Sequence, residues 1–472
     1  MPRRIYFLIL LAFLLRSGLG MFAYFGLPQV GYGSKIEKAG YLFLDAFNRD
    51  TQARELALSG QPLSKAFDEK FSSDQYGGLL WMSAFLYRFV NDSPLVMLFL
   101  SALAGSLGGL FVYLAAMRIF DEKIALLSCC IFLFYPDSIL FGASQMREPF
   151  LMTLIAMGFY GIANVAQVDN LRRSGWLWIA LALAGMLFLS PGFALVTIIA
   201  LAGWVFFGGQ GGRIPWQAAA LVVGLFLAAL IALAASWESL VAVRSGGILG
   251  VLEDWARETA KWNADVLKRS SGIVQLLFES LPSELAMPFV VVYGILQPVL
   301  PAAIIEPGNL FWQGLGILRA LGWYLLLPYV AYAPFSFFSP LPSGDGPGVR
   351  ENRRLQKQAI WLSLLLWAWI LIAAARGGGD QWDNPRYRVI LLAFMAITAA
   401  QAFYSLKTRW FWRILWVEAI ILLVFTHWYA WRYLGVGVNL GIRNTLAIAL
   451  GVSILLVGAD LLWQSRKRRN TL

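Results

Sequence analysis

Apolar runs of about 20 residues, separated by short polar loops, recur along the whole chain. That length matches the hydrocarbon thickness crossed by an α-helix, which satisfies its own backbone groups in lipid. The pattern predicts about twelve spans: about 5–26, 93–117, 122–136, 149–167, 176–190, 192–208, 216–236, 315–338, 358–375 and 389–406, then a final hairpin. Ser190 and Pro191 break the chain between the fifth and sixth. The stretch "MPFVVVYGILQPVLPAAIIEP" carries Pro288, Pro298 and Pro301, which disfavour a regular crossing helix, and is read as interfacial or re-entrant. The predicted fold class is all-α, a polytopic transmembrane helical bundle whose two long external loops carry short amphipathic helices.

Charge orients this bundle. With Arg3 and Arg4 inside, the basic loops around Arg118 and Lys123, "DNLRRSG", "GGQGGR", "RENRRLQKQ", "KTRWFWR" and the terminal "RKRR" all fall on the same side. Both termini are then cytoplasmic, in a plasma (inner) membrane, and residues 27–92, 237–314 and 376–388 are external. No loop is long enough to fold alone and no internal repeat is visible, so residues 1–472 are read as one membrane domain. The N-terminal run lacks a small-x-small cleavage site and stays apolar past Arg16, so it is read as an uncleaved first span.

Composition agrees, with 59% hydrophobic and 14% charged residues and a mean hydropathy of +0.65. The net charge of +11 sits in the short loops, so no nucleic-acid partner is read. Cys129 and Cys130 are adjacent within an apolar run and are read as small hydrophobes. A single histidine, His427, excludes a multi-histidine metal site and is read as structural. No P-loop or Gly-rich fingerprint supports a nucleotide-sugar donor. The external carboxylates leave room for a divalent metal.

Four polar segments, far apart in sequence, share the external side. The first holds Asp45, Arg49, Asp50, Arg54 and Glu55, with "DTQARELALSG" read as a short helix capped by Asp50 and ended by Gly60. The second, "SSDQYGGLLWMSAFLYRF", places Asp74 and Tyr76 before a short apolar helix. The third, "SQMREP", has Arg147 and Glu148 at the start of the fourth span. The fourth, "GGGDQWDNPRYR", holds Asp380, Asp383, Arg386, Tyr387 and Arg388 before the tenth. Singly, each has a plain reading as a helix cap or an interface anchor. Together they suit sugar transfer from a lipid phosphate, because arginine holds phosphate by charge-assisted bonds and a carboxylate accepts a hydroxyl proton.

These segments resemble the integral-membrane glycosyltransferases of the GT-C superfamily, in the branch near protein O-mannosyltransferases and bacterial aminoarabinose transferases (family-39-like). The features that carry the resemblance are the acid-bearing first loop, "DQYGG", "REP", "NPRYR" and "PFVVVYGILQPVLPAA". Many relatives have two adjacent acids in the first loop. Here Asp45 is followed by Ala46, and the next acid is Asp50.

The resemblance implies a polyprenyl-phosphate sugar donor, a lipid, glycan or protein acceptor, and surrounding membrane lipids. The expected reaction is inverting displacement at the anomeric carbon. Asp50 or Asp45 is the base, with Asp50 preferred because a helix N-terminus would hold it, although the helix dipole also weakens it as a base. Arg147, Arg386 and Arg388 are expected at the leaving phosphate. Glu148 and Tyr387 are expected to orient groups there, and Asp74 and Tyr76 to serve the acceptor side. The wall of the lipid groove is expected from the eighth span, 285–307 and 237–284. Arg319 is an outlying candidate for the phosphate, and Arg16 has no assigned role. The rival readings are a transporter or flippase, a polymerase or ligase of lipid-linked glycans, and a non-catalytic subunit.

Overall fold

The computed structural model describes residues 2–71, 73–165, 172–207, 224, 283–336, 347–406 and 408–469. Among these the regular structure is helical, with no strand. Apart from residue 224, the seventh predicted span, 216–236, lies outside the described residues, as do residues 237–282 of the loop expected to wall the lipid groove. Seven described helices are long and apolar enough to cross a membrane, or nine if each of two bent pairs counts as one span. The polytopic all-α class read from the sequence is therefore observed.

The chain divides into two compact units. The first comprises Met1–Trp262, Pro340–Ile370 and Arg386–Gln401. It contains α1 (Arg3–Val30), α2 (Lys35–Lys38), α3 (Leu44–Leu58), α4 (Gly78–Phe89), α5 (Pro94–Ile119), α6 (Glu122–Phe134), α7 (Pro136–Gly142), α8 (Glu148–Val165), α9 (Arg172–Leu189) and α10 (Pro191–Phe207). The Ser190–Pro191 break falls where the sequence placed it.

Small residues set how closely these helices pack. A Cβ on Gly108 of α5 would lie 2.6 Å from Phe132 of α6 and from Thr153 of α8. The approach also lets Thr153 donate to the Ala104 carbonyl at 2.6 Å. Gly20 of α1 brings that helix against Leu98 of α5 and the Ala143 carbonyl beyond α7. The packing thus gathers the C-terminal half of α1, the start of α5 and the end of α7. The third predicted span differs from expectation: α6 and α7 are one apolar run bent by 52°. Pro136 at the first position of α7 explains the break, since it cannot supply the donor the helix would need there.

Arg16, left without a role by the sequence, holds this bent region. It is wholly buried in α1 and donates to the Ala12 carbonyl at 3.1 Å and to Ser138 Oγ of α7 at 2.8 Å. Gly142 makes room for it, because a Cβ there would stand 2.6 Å from the Arg16 side chain.

The second unit comprises Asn263–Ser339, Leu371–Pro385 and Ala402–Leu472. Its helices are α11 (Ser283–Leu296), α12 (Leu300–Ile305), α13 (Leu310–Ser336), α17 (Trp410–Leu434) and α18 (Gly441–Arg469). Between α13 and α17 the chain forms α14 (Pro347–Gly377), α15 (Asp383–Val389) and α16 (Leu392–Tyr404), of which α16 and the ends of α14 and α15 are shared out as above. The proline-rich segment forms α11 and α12, two short helices separated around Pro298.

Two ionisable side chains of this unit find partners within it. Asp460 of α18 is paired with Arg413 at 2.7 Å and Arg409 at 3.3 Å. Arg319, an outlying phosphate candidate, is buried with its guanidinium 4.3 Å from the Trp382 ring and donates to the Gln381 carbonyl at 3.0 Å. His427 accepts a long bond from the Val438 amide at 3.4 Å, which fits a structural role. Both cysteines are free thiols, as expected.

Candidate active site

Helix α3 organises the site. The sequence reading started this helix at Asp50, but it begins at Leu44, after an extended Phe43. The earlier start follows from tertiary docking: Phe43 stacks on Phe141 of α7 at 5.3 Å, and Ala46, Ala53 and Leu56 are buried along one side. Asp50 is therefore mid-helix and caps nothing, while Asp45 occupies the acidic-favouring first turn. The predicted end of the helix holds, with Ser59 closing it and Gly60 in the left-handed region at φ +68°.

The two aspartates have different surroundings. Asp50 is buried, and both its oxygens are occupied. Oδ2 accepts from Tyr41 at 2.6 Å and from Arg54 at 3.0 Å, and Oδ1 accepts from the Tyr87 hydroxyl of α4. Burial, and then the neighbouring Asp50 charge, raises both tyrosine hydroxyls above their ordinary pKa, so they stay protonated as donors. Asp45 is 47% exposed at its side chain. Its Oδ2 accepts from Arg386 Nη1 of α15 at 2.6 Å.

Arg386 also donates through Nε to Glu148 Oε1 of α8 at 2.6 Å. Glu148 is almost fully buried, with its side chain 1% exposed. One guanidinium thus bridges two carboxylates brought from three distant parts of the sequence. Burial alone would raise the Asp45 carboxyl, but Arg386, with smaller contributions from Arg49 and Arg147, holds it below its ordinary value.

The side chain of Arg147, one residue before Glu148, makes no hydrogen bond or ion pair among the described residues. Its guanidinium lies 5.5 Å from the Tyr76 ring centroid. Asp74 is buried and accepts from the Leu80 amide at 2.9 Å, which fixes the turn that presents Tyr76. Arg388 is fully buried, and Tyr387 gives its carbonyl to Trp369 Nε1 of α14 at 2.9 Å. Asp380 accepts from the amides of Trp382 and Asp383 at 2.6 and 2.7 Å, forming the turn that leads into α15.

The structure therefore brings Asp45, Glu148, Arg147, Arg386 and Tyr76 together and puts Asp50 in a separate cluster. Glu148 holds Arg386 rather than Arg147. The sequence reading named Arg49 but gave it no role. It lies one turn after Asp45, is buried, and donates to the Gln145 carbonyl at 2.8 Å. Its i+4 spacing from Asp45 was the available signal. Nothing in the sequence marked Tyr41 or Tyr87. Among the described residues no three His, Cys, Asp or Glu side chains form a metal-binding group, and the guanidinium of Arg386 lies on both Asp45 and Glu148.

Residues 78–237 match the family model described as dolichyl-phosphate-mannose-protein mannosyltransferase. The resemblance seen in the sequence therefore holds over that segment. No curated protein matches the chain. Among solved structures, the chain is similar to the archaeal oligosaccharyltransferase AglB from Archaeoglobus fulgidus, in complex with an inhibitory peptide and a dolichol-phosphate. The identity is 13% and the TM-score 0.41, with 94% of this chain and 54% of that chain covered. A second Archaeoglobus fulgidus oligosaccharyltransferase structure, tethered to an acceptor peptide, gives 13% identity and a TM-score of 0.40 over 94% and 53% of the two chains. The chain spans about half the length of these structures.

Proposed function

We propose that the protein is a membrane glycosyltransferase that moves a sugar from a polyprenyl-phosphate donor to an acceptor hydroxyl, with inversion. The observation that carries this reading is the Asp45–Arg386–Glu148 bridge beside Arg147, whose side chain has no hydrogen bond or ion pair among the described residues. The family match over residues 78–237 supports the donor class.

In the proposed reaction the acceptor oxygen attacks the anomeric carbon while Oδ1 of Asp45 takes its proton. The carbon–oxygen bond to phosphate breaks, and the polyprenyl phosphate leaves with the electron pair. Arg386 holds Oδ2 and so aims the free oxygen of Asp45. Arg147, steadied by Tyr76, meets the charge growing on the leaving phosphate. Glu148 fixes the Arg386 plane from the buried side. Asp45 replaces Asp50 as the preferred base because an acceptor can reach it, whereas Asp50 has no free oxygen.

The site is proposed to face the external, periplasmic side. It lies where α5 and α8 begin, whereas Arg3 and Arg4 open α1, Arg118 ends α5 and Lys123 opens α6. Positive residues favour the cytoplasm, so the opposite ends of these helices face out. The test uses the purified full chain with a panel of polyprenyl-phosphate hexoses and pentoses and an acceptor extract. Release of polyprenyl phosphate that is lost in Asp45→Asn is the expected result. A folded protein that releases none, from any donor, overturns the reading.

A further inference from the structure

Arg49 is a buried cation in a costly position. It is 3% exposed, and among the described residues its one side-chain hydrogen bond goes to a neutral carbonyl, that of Gln145. Its Nε is buried without a hydrogen-bond partner. A buried guanidinium with no carboxylate in contact is normally unfavourable, because desolvation is not repaid by a close ion pair. A structural tether to a carbonyl could be made by a neutral side chain at less cost. The charge itself therefore needs a reason.

Its surroundings supply one. Arg49 stands one helical turn after Asp45, so both project from the same side of α3. The Gln145 carbonyl it holds is two residues before Arg147 and three before Glu148. Gln145 is itself anchored, since its amide donates to the Pro94 carbonyl at the start of α5 at 2.9 Å. Arg49 thus ties the helix of one carboxylate to the loop that carries the other. The charged groups around it are Asp45 on its own helix, Arg147 and Glu148 at the start of α8, Arg386 of α15, and Asp74 before α4.

Resting on the transferase reading above, we infer that Arg49 is a positioning residue with two effects: it sets the distance between α3 and the 145–148 loop, and its positive charge keeps Asp45 ionised as the acceptor binds. The guanidinium of Arg386 shares the second task, so loss of Arg49 weakens it without abolishing it.

The test separates charge from tether. Thermal unfolding of the full chain in detergent is followed against pH for the native protein, Arg49→Gln and Arg49→Lys, and for each of the three carrying Asp45→Asn as well. The difference between each protein and its Asp45→Asn counterpart isolates the titration of Asp45. The Asp45 carboxyl lies below its ordinary value, so its contribution is present above the unfolded value and lost as pH falls through the folded one. In Arg49→Gln this loss moves to higher pH, and Arg49→Lys restores the native position. The same shift appears in the acid limb of the transfer rate, and Arg49→Gln lowers the plateau by about 10- to 100-fold. A purely structural Arg49 would lower the unfolding temperature equally at every pH and leave the Asp45 titration in place, which overturns the inference. If Asp45→Asn retains full transfer while the titration still shifts, the base assignment fails and the electrostatic role of Arg49 stands.

Discussion

Helix α3 carries two aspartates that project in well-separated directions, and they differ in how each acid is satisfied. Asp50 is paired locally: Arg54 is on the next turn, and Tyr41 from the loop before α3 and Tyr87 from α4 close over it. Asp45 is paired at long range, through an arginine 341 residues away that also holds Glu148. In the local cluster both oxygens of the Asp50 carboxylate are filled and the carboxylate itself is buried, as expected of a group that fixes a fold. The long-range bridge leaves Asp45 half-exposed and beside it Arg147, whose side chain has no hydrogen bond or ion pair among the described residues. Two aspartates five positions apart are thus given opposite surroundings by what docks against them, and the proposed division of tasks follows from that difference.

The largest expected effect breaks the second pair. Asp45→Asn keeps the size of the side chain and removes the proton acceptor, so the transfer rate falls about 100- to 10,000-fold. Unfolding in detergent at neutral pH moves to a modestly lower temperature, because the Asp45 carboxyl, held below its ordinary value by Arg386, contributes to stability there, while its half-exposure keeps that contribution small. Steady-state kinetics on the purified variant decides it, and an unchanged turnover refutes the assignment. Next comes Arg386→Lys. It keeps the charge but replaces a planar fork by a point donor, which cannot hold Asp45 and Glu148 together. The expected loss is about 10- to 100-fold in the rate, through misplacement of the acid.

These contrasts also explain what was legible in the sequence. Apolar periodicity alone gave the helical membrane class and the Ser190–Pro191 break, because burial in lipid demands length and composition that no loop can imitate. The polar segments could be grouped because every basic loop lay on the other side. What the sequence could not rank was Asp45 against Asp50. That choice depends on Phe43 docking against Phe141, which starts the helix at Leu44, and on two tyrosine hydroxyls that arrive through tertiary packing. Arg16 was opaque for the same reason. Its role is to fill the space left by Gly142 and to hold Ser138, contacts made across the bend between α6 and α7.

A smaller effect is expected at the local cluster, and in a different observable. Asp50→Asn weakens three bonds to a buried carboxylate, two of them from neutral hydroxyls, for a loss of about 2–3 kcal/mol of stability. The rate per folded molecule falls less than about tenfold, since no reacting group is removed. The pH dependence has a definite sign. The Tyr41 and Tyr87 hydroxyls lie above their ordinary value in the fold, so their contribution is full below about pH 10 and is lost as pH rises beyond it. Tyr87→Phe therefore flattens the alkaline side of the unfolding curve. Asp45→Asn flattens the acid side, where its own carboxyl titrates.

The smallest effect provides the baseline for the others. Lys70 meets Glu55 at 2.7 Å, with the two side chains 65% and 53% exposed. Glu55 lies on the same helix as both aspartates, so this pair shares the scaffold of the site without its burial. Water and salt screen such a pair, and holding two long side chains in one geometry costs rotamer freedom, so its net value is about 0–1 kcal/mol. Lys70→Ala should leave both the unfolding temperature and the transfer rate close to native. It should also remove no salt dependence beyond that of the exposed surface. If Lys70→Ala instead depresses the rate as Arg386→Lys does, then α3 responds to any charge change along its length. The division between a fold-fixing face and a reacting face would then be lost, because position on the helix, rather than the partner each carboxylate finds, would be deciding the outcome.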